Sequence, residues 1–237
     1  MKFTRVPLLT LVPEGQKMTI SELFGSRVFL LALLLMVSAA ASELTMSQWA
    51  SLFAEMGLGV PKVVGDLVGP ALFAFFMVVV RTAYGLWGDR IDLHKALKAS
   101  SLLCILCYAL AVFSTAPLLS LLGAAFCGVA VSLMWPGTLS LTSARFPRGG
   151  TAMFGLLAIF GGLGSSLGPW LTGLVSDLSQ RSAVVQSWSS ARGFSLEQAG
   201  LRAGLLVGII FPALMFVGTS ALQRRTQEPK AVPTSAQ

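Results

Sequence analysis

Six long apolar runs, separated by short polar stretches, make up most of the chain. They cover about residues 28–53, 64–87, 96–114, 117–144, 151–175 and 203–222. A helix crossing a hydrocarbon core of about 30 Å needs about 20 apolar residues, and these runs meet that length. They are longer than the helices buried in water-soluble cores. The first run begins with small and apolar residues from Val28 to Ala41. It then turns polar, with Ser42, Glu43, Thr45, Ser47, Gln48 and Trp49. The fourth is interrupted at Trp135-Pro136-Gly137, where a kink is expected. The pattern predicts an all-α integral membrane bundle with six transmembrane helices over residues 28–222.

The flanks read differently. Residues 1–27 form a cytoplasmic N-terminal tether. Their longest apolar stretch, Val6 to Val12, is broken by Pro7 and followed by Pro13, Glu14, Gly15 and Gln16, which excludes a cleaved signal peptide. Residues 223–237 are polar, contain Pro229 and Pro233, and read as a disordered cytoplasmic tail.

Composition sharpens the class. Apolar residues make up 54% of the chain and charged residues only 11%. Soluble domains carry about 25% charged residues, so a water-soluble globule is excluded. The 17 basic residues exceed the 10 acidic ones. In a membrane chain such an excess marks cytoplasmic loops rather than nucleic-acid binding. With the N-terminus inside and six crossings, 13 Lys and Arg fall inside, among them Lys2, Arg5 and Lys230, against four outside: Lys62, Arg181, Arg192 and Arg202. Both termini are therefore expected in the cytoplasm, and a bacterial inner membrane is the expected location. The three Cys residues lie in apolar runs, so no disulfide framework, redox pair or zinc site is expected. The chain contains no Asn, which excludes N-glycosylation and the NPA loops of water channels.

Few residues carry candidate chemistry. Glu43 is an ionisable group within a spanning helix, where such groups are costly and mark water-filled paths or proton sites. Counted from Val28 it lies roughly 23 Å along the helix, about three-quarters across, so a carboxylate reaching the outer interface is the competing reading. Gln48 could hydrogen-bond a polar solute. Trp49 could stack on it or serve as an interfacial anchor. Arg81 could line a cavity and pair with a carboxylate, or reach for the cytoplasmic headgroups. Trp135 sits at the expected kink. The Gly164-to-Gly168 stretch matches G-x-S-x-G, but Ser166 falls deep in an apolar helix while the single His, His94, lies in a loop, so no hydrolase is expected. No metal, cofactor or enzymatic activity is implied. Three repeats of P-x-(D/E)-x-x-(K/R), TVGYG, a P-loop and H-E-x-x-H are all absent, which excludes mitochondrial carriers, potassium channels, P-loop ATPases and zinc peptidases.

Two motifs carry a resemblance. The loop between the second and third runs reads GLWGDRIDLHKAL. Gly85, Asp89, Arg90 and Lys95 fit G-x-x-x-(D/E)-(R/K)-x-G-x-(R/K)-(R/K), with Asp92 in place of the second Gly and His94 at a basic position. The fifth run carries Gly155, Gly164, Gly168, Pro169 and Gly173, with Thr172 in place of a Gly. Both patterns resemble signatures of the major facilitator superfamily, and helix count and orientation resemble its C-terminal six-helix half. The resemblance implies inverted three-helix repeats, a lipid-embedded body, and a small organic solute bound against a second six-helix half. That half would be a separate chain, a missing N-terminal half or a second copy. The implied function is secondary transport by alternating access with ion or proton coupling. The other class that fits is a non-transporting fragment or accessory subunit packed against another six-helix half.

Overall fold

A computed structural model describes residues 16–227, and the regular structure among them is helical. Lys2, Arg5, Lys230 and much of the expected tether and tail lie outside the described residues. Among the described residues six helices are long and apolar enough to cross a membrane: α2 (Arg27–Met56), α3 (Lys62–Arg90), α4 (Leu93–Phe113), α5 (Pro117–Arg145), α6 (Gly150–Ser179) and α8 (Leu196–Arg224). Two short helices, α1 (Ile20–Gly25) and α7 (Ala183–Arg192), lie outside these spans. The chain is an integral membrane helical bundle.

Local chemistry sets the ends. Thr19 caps α1: its hydroxyl accepts from the Glu22 N–H at 3.3 Å, and the Glu22 carboxylate accepts from the Thr19 N–H at 2.7 Å. The Thr19 backbone N–H, then its hydroxyl, hold the Glu22 carboxyl below its usual range. The stretch expected as a tether therefore contains a capped helix. Ser195 caps α8 with the same reciprocal box, through Gln198, whereas Ser26 and Asp92 cap α2 and α4 by accepting from backbone N–H groups alone. α7 stops at Gly193, whose φ of 69° suits a residue without a Cβ. The final helix continues to Gln227, so residues 223–227 of the expected disordered tail are helical. Lys98 of α4 donates to Gln223 at 2.6 Å and ties down this last stretch.

Prolines shape the interiors. Pro136 has no N–H to offer the Ser132 carbonyl four residues back. The break in α5 therefore falls at residues 132–133, one turn before the expected Trp135-Pro136-Gly137 position. Pro70 lies in a wide turn of α3, Leu67–Ala71. Pro169 leaves α6 continuous.

α2 is the central helix, packed against α5, α6 and α8. Its closest neighbour is α6, where small residues let the two backbones meet. A Cβ at Gly164 would collide with the Val37 carbonyl, and one at Gly168 would lie 2.8 Å from the Ala41 oxygen. Burial is uneven across the bundle. About 61% of the apolar stretch of α2 and of α5 is buried, against 17% for α3 and 22% for α6.

Candidate functional site: an ion pair in an intramembrane cavity

Arg81 on α3 donates from Nη2 to Glu43 Oε2 on α2 at 2.9 Å. Its Nε donates to the Ser132 carbonyl of α5 at 3.3 Å. Pro136 leaves that carbonyl without its helical partner, so one proline both breaks α5 and supplies the acceptor that fixes the arginine. Arg81 thus turns inward to two other helices instead of reaching for the end of its own. A charged group inside a span is expensive unless paired, and this pair meets that requirement.

The pair lines a cavity of about 460 Å³ with Tyr84, Trp135, Pro136 and Leu139. Tyr84 stands nearly one turn beyond Arg81, its ring packed over Gly88. Trp135 rests against Gly161 of α6, where a Cβ would come within 2.9 Å of the indole. Glu43 lies near the middle of α2, because that helix extends to Met56.

The structure joins Glu43, Arg81 and Trp135 and separates them from Gln48 and Trp49. Gln48 is exposed and does not line the cavity. Trp49 points to α6: its Nε1 donates to the Pro169 carbonyl at 3.1 Å, and its ring covers Gly173. It fastens two helices, and its indole N–H is already engaged. The glycine motif divides likewise. Gly164, Gly168 and Gly173 make the close approach to α2, whereas Gly155 has open space beside it.

The loop motif sits at an exposed corner. Asp89 and Arg90 occupy a single turn, Gly88–Arg90, and no ion pair joins either to another described residue. Asp92, at the position where the signature has Gly, does local work instead. It accepts from the N–H groups of His94 and Lys95 at 3.1 and 3.2 Å and pairs with the Lys95 ammonium at 3.4 Å. The Lys95 backbone N–H is the main cause of an Asp92 carboxyl held below its usual range. Ser166 donates to Gly162 within its own helix. Cys104 faces Cys127 at 3.6 Å, across two helices, and makes no pair with Cys107. No group of three or more potential metal ligands occurs among the described residues.

Sequence reasoning missed three participants. Tyr84 was legible only as a neighbour of Arg81 on one helix face. The Ser132 carbonyl had a signal, four residues before Pro136. Arg202, counted as an outside charge, is a buried structural cation. It donates to the carbonyls of Val112 and Ser114 (3.0 Å to the latter) and stacks on Phe194, 4.4 Å from the ring centre.

A six-helix membrane bundle with a charged pair in an intramembrane cavity has the build of a solute transporter. The family model described as Major Facilitator Superfamily matches residues 3–169 and again residues 70–232. The chain belongs to the major facilitator superfamily, a family of membrane secondary transporters. No curated protein and no solved structure matches it.

Proposed function

We propose that the chain moves a small organic solute by alternating access, coupled to protons through Glu43. The observation that carries this reading is the Glu43–Arg81 pair, which joins two spanning helices on a cavity wall. A carboxylate there alternates between two states: ionised and bound to Arg81, or protonated and released from it. Three helices of one bundle wall the cavity on one side, and a second six-helix body closes the other. The low burial of α3 and α6 supports such a partner. So does the open space beside Gly85, Gly155 and Gly162, where another helix could approach closely. With Arg81 and Arg202 placed inside spans, the remaining basic residues divide 12 to 3, which supports cytoplasmic termini; the proposed location is a bacterial inner membrane.

Membrane vesicles containing the chain, given a pH gradient and a mixture of small organic solutes, test the coupling. Mass spectrometry of the vesicle contents reads which solute accumulates. Glu43→Gln abolishes gradient-driven accumulation and preserves exchange of solute for solute. A variant that accumulates solute with the wild-type pH profile removes Glu43 from the coupling step. Orientation is checked with a cysteine at Ser190, which labels from the outside with an impermeant reagent. Labelling only from the cytoplasm reverses the topology.

A further inference from the structure

The cavity treats the two signs of charge unequally. Glu43 has a side-chain exposure of 13% and already accepts from Arg81. Arg81 is 39% exposed. A guanidinium carries five N–H donors. Among described residues, Arg81 commits one to the Ser132 carbonyl and one to Glu43. The Nη1 edge has no partner among them. The open charge in this cavity is therefore positive, and the negative one is covered.

The rest of the lining narrows the ligand further. Trp135, Pro136 and Leu139 offer apolar and aromatic surface, and Tyr84 adds one phenol. A sugar would find few of the hydrogen-bonding partners it needs there. A cation would have to displace Arg81 from a carboxylate that is already buried. A carboxylate, in contrast, matches the planar fork of an arginine.

Resting on the transport reading above, we propose that the solute is an organic monocarboxylate with a compact apolar or aromatic body. Its carboxylate binds the free Nη edge of Arg81 in competition with Glu43. With Glu43 ionised, the loaded cavity would hold two carboxylates and one guanidinium, a net negative charge inside the membrane. One proton on Glu43 removes that excess and releases its hold on Arg81. Anion and proton are therefore taken up together, one of each, and this wall of the loaded cavity is neutral.

The test uses the purified full chain in detergent micelles and three probes of one shape: benzoate, benzamide and benzylamine. Binding is read from tryptophan fluorescence and from the shift in unfolding temperature. Benzoate binds, and the other two bind at least about tenfold more weakly. Above the titration of Glu43, benzoate affinity falls about tenfold per pH unit, as joint uptake of one proton requires. In Glu43→Gln that slope disappears and affinity at alkaline pH rises. Arg81→Gln loses benzoate binding. Arg81→Lys, measured beside it, keeps part of the binding and shows that the loss follows the charge, since both variants still unfold cooperatively and close to the wild-type temperature without probe.

Preference for benzylamine, equal binding of benzamide, a slope that survives Glu43→Gln, or no binding of benzoate to wild type would each overturn the proposal. None of these results touches vesicle accumulation of some other solute. The transport reading fails separately, when wild-type vesicles accumulate nothing.

Discussion

Two arginines lie inside spans of this bundle and do opposite things. Arg81 is partly exposed, divides its donors between a proline-freed carbonyl and a carboxylate, and keeps one edge open to a cavity. Arg202 is 2% exposed, has no carboxylate partner among the described residues, and is spent on the carbonyls ending α4 and on two aromatic faces. Those carbonyls are the negative end of a helix, so a cation suits them. The difference is one of reversibility. A carboxylate partner can be protonated and let go, whereas backbone carbonyls and phenyl rings cannot. In the proposed mechanism the charge at Arg81 serves as a switch, whereas the charge at Arg202 is a fastener.

The largest expected effect crosses the two. Arg202→Gln leaves the Val112 and Ser114 carbonyls short of a donor and removes the stacking on Phe194. It is expected to cost about 3 kcal/mol or more in unfolding experiments. Arg81→Gln is expected to reduce uptake by about a hundredfold or more, with only a small drop in unfolding temperature, because Glu43 can protonate once its partner is gone. Equal losses of stability in the two variants would break the comparison.

Next come the glycines of α6, which set the face of that helix sealed onto α2 against its open one. Gly164→Val forces a side chain into the Val37 backbone, and overpacking of this kind costs about 1–3 kcal/mol or more. Gly155→Ala meets nothing within 4 Å and leaves the unfolding of the six-helix body unchanged. Any effect of Gly155→Ala belongs to assembly with a partner, which cross-linking reads.

The smallest effect is at Asp92. Its folded-state pKa is depressed, so its contribution is present above the unfolded-state value and fades as pH falls through the folded one. Asp92→Ala should remove that acid-range dependence from the unfolding temperature and leave the neutral-pH transport rate near wild type. A large transport defect would give this corner a part in the mechanism.

Much of the bundle was legible from the chain. Six apolar runs gave six spans, because length and hydropathy suffice where every backbone group must be satisfied within its own helix. The cap of Thr19 with Glu22 is absent from the sequence reading, which expects a tether there, although the spacing carries the signature of a capping box. The candidate site was only half legible. Glu43 and Arg81 stood out as charges in apolar runs, but their pairing across 38 positions left no local trace. Gln48 and Trp49 were chosen for their nearness to Glu43 in sequence. A helix turns 100° per residue, and the next few positions face other neighbours.

By itself, then, the sequence determined six runs long and apolar enough to cross a membrane, and it singled out Glu43 and Arg81 as charges within them. Only the tertiary structure decided which partner each charge took. It set the carboxylate of α2 and the freed carbonyl of α5 against Arg81, and the end of α4 against Arg202. Membrane insertion depends on the summed transfer energy of each segment, a one-dimensional property. Pairing depends on which faces meet once α2 has settled against the glycines of α6, and that packing is a property of the whole bundle.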